Sequence, residues 1–99
     1  MIVAFTEEAE ADLERIGDHI AKDNPDRAVS FVGELIACCQ RLADAPRGYP
    51  LVPRYRLSGV RRRPYGRYLV FYRVGTERID ILHVLHGAQD YEAILFSRP

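Results

Sequence analysis

The fold turns on residues 59–87, GVRRRPYGRYLVFYRVGTERIDILHVLHG. Residues 67–74 are aromatic and β-branched, with tyrosines at 68 and 72, and read as a strand. The GTE at 75–77 is a hairpin turn, and RIDILHVLH after it is the next strand. A shorter strand around residues 59–63 precedes them. Three strands joined by short turns predict an antiparallel meander.

Working outward, MIVAF at 1–5 is short and apolar, and is expected as a strand added at a sheet edge. Thr6 caps the helix that follows, and Glu7 and Glu8 suit its positive end. Ala9, Leu13, Ile16 and Ile20 recur at helical spacing, giving one apolar stripe to about Lys22. Asn24 and Pro25 restart the chain as an N-cap and first helical residue. A second helix carries Ala28, Phe31, Val32, Leu35, Cys38 or Cys39, and Leu42, and ends before Pro46. So short a connection makes the pair a helical hairpin. PRGYPLVP at 46–53 is a loop, and QDYEAILF at the end forms one or two helical turns. The expected fold is a two-layer α+β arrangement, β-α-α-β-β-β. A helical hairpin packs on a twisted antiparallel sheet, and a short helical turn closes the chain.

The chain has 99 residues, which fits a single domain spanning 1–99. No apolar run approaches membrane-spanning length, and the first ten residues lack the basic start of a signal peptide. A cytoplasmic location is the expectation. Adjacent Cys38 and Cys39 on a helix point about 100° apart, which disfavours a mutual disulfide, and two ligands fall short of a structural zinc site. No metal and no cofactor are expected. The zero net charge hides an asymmetry: residues 1–45 hold ten acidic and four basic side chains, residues 46–99 four acidic and ten basic. Lys22 is the only lysine. Either the halves neutralise each other inside the fold, or the arginine-rich half meets an anionic partner.

Three stretches together resemble the ParE branch of the RelE/ParE toxin superfamily: FTEEAEADLERIGDHIA, GVRRRPYGRYLVFYRV and IDILHVLHGAQDYEAIL. The resemblance covers essentially the whole chain. It implies a toxin of a type II toxin–antitoxin pair that acts by poisoning DNA gyrase, arrests growth and serves plasmid stabilisation. It also implies a cognate antitoxin, whose acidic, amphipathic C-terminal segment wraps the toxin. A toxin dimer inside a toxin–antitoxin hetero-oligomer is compatible with it. A membrane and direct DNA binding are not expected. RelE-like members of the superfamily instead cut mRNA on the ribosome, without a metal.

Cutting RNA at a 2′-hydroxyl needs a base, an acid and cations for the phosphate. His86, Arg61, Arg67 and Tyr91 are the candidates if the protein is a ribonuclease. His83 and His86 are three residues apart, so strand alternation puts them on opposite faces unless a bulge intervenes. Arg61 and Arg63 share a face, as do Arg67 and Arg73. Gln89 stands two residues after Gly87, where members of the superfamily often carry an arginine, and it brings no charge. The surface expected to bind antitoxin or target comprises Arg61, Arg63, Arg67, Arg73, His83, His86 and Tyr91, with carboxylates of the partner meeting the arginines. Each also has a plainer role: His83 as a satisfied buried histidine, His86 bonded to nearby backbone, Gly87 permitting the turn, Asp90 capping the last helical turn.

Overall fold

The computed structural model describes residues 1–96, so the last three positions of the expected domain lie outside the described residues. The elements are β1 (Ile2–Phe5), α1 (Glu7–Ala21), α2 (Pro25–Gln40), β2 (Val60–Tyr65), β3 (Tyr68–Val74), β4 (Arg78–His86) and α3 (Tyr91–Phe96). The caps fall where the sequence puts them. The Thr6 hydroxyl accepts from the Ala9 N–H at 3.1 Å, and the Asn24 side chain accepts from the Arg27 N–H at 3.0 Å.

The sheet order is β1-β4-β3-β2. β2, β3 and β4 form the expected antiparallel meander. β1 joins at the edge, as expected, but runs parallel to β4, pairing Ile2 with Arg78 through to Phe5 with Ile81. The sheet is therefore mixed. β2 and β4 run alike within the meander, and β1 follows their direction; local sequence carries no signal for this, because β1 and β4 meet only after the intervening chain has folded.

The helical hairpin covers one face of the sheet. Ala9, Leu13 and Ile16 of α1 and Leu35, Cys38 and Cys39 of α2 pack on Val70, Tyr72, Ile79, Ile81 and Val84. The other face is covered too, around buried Val52, Val60, Phe71 and Leu85, by the loop through Tyr55 and by α3. Tyr55 stacks on Phe96 with centroids 3.9 Å apart, and Tyr91 packs on Phe71 at 5.0 Å. These contacts hold a six-residue helix that would not persist alone.

Burial pushes the Cys39 thiol up from 9.0 to about 12, with Cys38 beside it adding to the rise, and pushes Cys38 up as well. Burial also raises the Tyr72 phenol, which donates to the Pro46 carbonyl at 2.8 Å. In each case the unfolded chain releases its proton at a lower pH than the folded one. Stability is thus expected to be flat through neutrality and to fall as pH rises above about 9. Denaturant titrations at pH 7, 9 and 10.5 measure this. The Cys39→Ala variant should show a shallower fall, and an equal slope in both proteins would contradict it.

Candidate functional site

The arginine run on β2 splits across the sheet. Arg61 and Arg63 share the helix side, as alternation requires. Arg61 donates to the carbonyls of Tyr49 at 2.7 Å and Arg47 at 3.4 Å. Arg63 donates to the Cys38 carbonyl at 3.0 Å and lies over the Tyr49 ring at 5.0 Å, while its Nε is buried without a partner. Cys38 is in the last turn of α2, where carbonyls lack helical partners, so Arg63 satisfies a helix end and complements its negative pole. Both arginines are thus engaged by main chain. Arg62, between them, points the other way and donates to the Tyr91 hydroxyl at 2.6 Å. Arg73 is exposed and donates through Nε to the Ser58 carbonyl at 3.0 Å. Arg67 is exposed in the two-residue turn between β2 and β3, outside the alternation of either strand.

The ion pairs resolve the charge asymmetry. Arg15–Asp12 and Arg27–Glu34 lie within the acidic half, and Arg54–Glu92 and Arg78–Asp80 within the basic half. Among the described residues, no arginine–carboxylate pair joins the two. Glu34 is held below the ordinary carboxylate range chiefly by its bond to Arg27, and it accepts from Tyr65, whose phenol that bond pushes up. Direct arginine–carboxylate contacts thus leave each half's excess charge unpaired with the other's.

The two histidines do not behave as alternation requires. Tyr72 pairs with Ile81 but Phe71 pairs with His83, so Leu82 is an extra residue, a β-bulge that interrupts the period. β1 also stops at Phe5, opposite Ile81, so β4 continues with an open edge. Asp12 of α1 fills that edge. Its carboxylate is 2% exposed and accepts from the Val84 N–H at 2.9 Å and binds His83 Nδ1 at 2.7 Å. Arg15 bonds its other oxygen. Arg15 also lines an open groove of ≈510 Å³ with Ile16, Asp18, His19, Lys22, Tyr68, His86 and Gln89. Both histidines therefore face α1, joined through Asp12 and Arg15; the separation onto two faces is corrected by the bulge and the open edge. Asp12 was not among the sequence candidates. Its signal is its place between Ala9 and Ile16, three and four residues away, on the apolar stripe of α1.

The corner after β4 is built from local bonds. His86 Nδ1 accepts from the Ala88 N–H at 3.1 Å, and the His86 N–H donates to Gln89 Oε1 at 2.9 Å. The His86 ring meets Tyr68 edge-on at 5.3 Å. Asp90 caps α3 through the Ala93 N–H at 3.3 Å. Gly87 does not have the positive φ found at Gly59 and Gly66. A Cβ there would sit 3.4 Å from the Arg67 carbonyl that its own N–H binds at 2.8 Å. That is an ordinary contact distance, so neither a left-handed φ nor a lack of space demands glycine at this corner.

These residues form two separate surfaces. His83, His86 and Gln89 look toward α1; Arg62 and Tyr91 lie on the α3 side, and Arg61 and Arg63 are tied inside. Among the described residues no His, Cys, Asp and Glu side chains gather as metal ligands, and no helix is long and apolar enough to cross a membrane.

Among solved structures the chain is similar to the chromosomal ParDE toxin–antitoxin system from P. aeruginosa. Identity is 25% with a TM-score of 0.76, over 87% of this chain and 95% of that one. It is also similar to the toxin–antitoxin complex RelBE2 from Mycobacterium tuberculosis, at 26% identity and a TM-score of 0.64, over 86% and 95% of the two chains. No curated protein matches it by sequence. The family model for the ParE toxin of the type II toxin–antitoxin system, parDE, matches residues 3–91, from β1 through Tyr91. Since that span takes in the sheet, the helical hairpin and the His86–Tyr91 corner, the chain belongs to the ParE toxin family of type II toxin–antitoxin systems.

Proposed function

We propose that this ParE-family protein works without catalysis, by binding DNA gyrase and holding it in a DNA-damaging state, and that a cognate antitoxin neutralises it by binding. One observation carries this reading over RNA cleavage. An acid, a base and cations must all reach a single phosphodiester. Here His86 looks toward α1, Tyr91 lies with Phe71 and Arg62 on the other side of the sheet, and Arg61 is engaged by loop carbonyls. Gln89, at the corner where relatives often carry an arginine, binds the His86 N–H and supplies no charge. Growth arrest, plasmid stabilisation and a cytoplasmic site of action belong to the same reading.

The antitoxin is expected to carry an acidic, amphipathic segment. The arginine-rich half, with exposed Arg67 and Arg73 and no carboxylate partner from the other half, is the complementary surface. The similarity to RelBE2 keeps ribosome-dependent mRNA cleavage as the second reading. Purified gyrase decides between them. At micromolar toxin, supercoiling should stop and cleaved DNA should accumulate. Unaffected gyrase, together with codon-positioned cuts in translated mRNA that vanish in His86→Ala or Tyr91→Phe, would overturn the proposal in favour of the nuclease.

A further inference from the structure

We infer that the groove between α1 and the His86–Gln89 corner is an oxyanion seat that takes carboxylates of an acidic protein segment. The inference rests on the antitoxin reading above and assigns that partner a second point of contact, away from the arginines of β2 and β3.

The local hydrogen bonds fix what the groove presents. His86 Nδ1 is occupied as an acceptor by the Ala88 N–H, so the neutral ring carries its hydrogen on Nε2. Gln89 uses Oε1 to accept from the His86 N–H, which leaves its NH2 as the unused end of the amide. The acceptors at this corner are thus consumed internally and the donors are left over. Opposite them, Arg15, His19 and Lys22 lie at i, i+4 and i+7 on α1, forming one stripe about 10 Å long along the helix. Arg15 is held in place by Asp12, yet its side chain is 70% exposed, so its remaining N–H groups stay accessible. Tyr68 lines the groove as well, and Asp18 is the one carboxylate among its lining residues. A recess lined this way binds an oxyanion through charge-assisted hydrogen bonds.

Charge selects the kind of oxyanion. The α1 wall of the groove belongs to the half of the chain that carries ten acidic side chains against four basic ones, and Tyr68, His86 and Gln89 form the other wall. Glu14 and Asp18 are exposed on α1 beside the stripe. A nucleic acid, with a charge at every phosphate, would be repelled along its length by that surface. Discrete carboxylates on a polypeptide reach the donors one or two at a time, and the neighbouring apolar residues of the segment have Ile16 and Tyr68 to pack on.

The test uses the full toxin and the full-length antitoxin encoded beside it, with affinity measured by calorimetry. Gln89→Glu keeps an oxygen for the His86 N–H but turns the outward donor into an acceptor with negative charge. His86→Asn keeps an acceptor near the Nδ1 position and removes the outward N–H. His19→Ala with Lys22→Ala removes two exposed donors without touching the core. Gln89→Glu is expected to weaken binding about tenfold or more, and the other two variants several-fold, with unfolding midpoints unchanged. Wild-type binding with all three variants within twofold of it overturns the groove assignment and leaves the antitoxin reading standing. No binding by the wild type overturns both. A single-stranded RNA oligonucleotide is titrated in parallel. If it binds the wild type and loses affinity in the same variants, the carboxylate assignment is overturned in favour of phosphate.

Discussion

Replacing Asp12 by alanine is expected to remove about 3 kcal/mol of stability, the cost of stranding the buried Val84 N–H and the largely buried His83 ring. The Asp12 carboxylate closes the part of β4 that β1 does not reach. It accepts from the Val84 N–H and binds His83 and Arg15. Without it, the buried Val84 N–H loses its acceptor and His83 loses its Nδ1 partner. For a domain of this size the loss corresponds to a fall of roughly 12–24 °C in the unfolding midpoint. Asp12→Asn keeps one oxygen for Val84 but loses the charge that suits Arg15, so it should fall between the two. Denaturant unfolding of the three proteins measures this. A loss below about 1 kcal/mol for the alanine variant would mean that the Val84 N–H finds water instead.

Arg63 gives the second large effect, one that separates a structural arginine from a binding one. Arg63→Ala should destabilise the fold by about 2–3 kcal/mol, because the Cys38 carbonyl loses its donor and Tyr49 loses the guanidinium that covers it. Arg63→Met should be milder than alanine. It fills similar space and also removes the buried Nε that has no partner. Antitoxin affinity of the folded variants should match the wild type. Arg73→Ala should do the reverse, weakening association at low salt with little change in stability. An equal loss of affinity in both variants would place Arg63 in the interface instead.

Much of the architecture is legible in the residues, because the signals are local. Thr6, Asn24 and Pro25 mark helix starts by chemistry that acts within three residues, and the turn at 75–77 is set by its own composition. The parallel sense of β1 is not local: it depends on where β4 lies after the whole chain has folded. The bulge at Leu82 has no glycine or proline to announce it, so the residues do not show where the period breaks. The arginines show a further limit. Sequence distinguishes arginine from leucine, but not an arginine facing solvent from one bonded to the carbonyls of Tyr49 or Cys38. Those acceptors are main-chain atoms, identical in every residue, and only the fold puts them there. Asp12 was legible in principle: a carboxylate on the apolar stripe of a helix must find donors, and the open strand edge supplies one.

The pairing of β1 with β4 also sets a clock. Ile2 leaves the ribosome early, yet its partner Arg78 is made late. At ordinary rates of synthesis the first strand waits roughly 4–15 s for the strand it must join. Over that interval α1 and α2 can form, but Asp12 has no Val84 to bind and the sheet beneath the helices does not exist. Until β4 is made the sheet stays incomplete, and the nascent chain exposes apolar helix faces to whatever binds them first. A partner already present in the cell would meet the toxin while its last strand is still being assembled, before any competent surface has been completed.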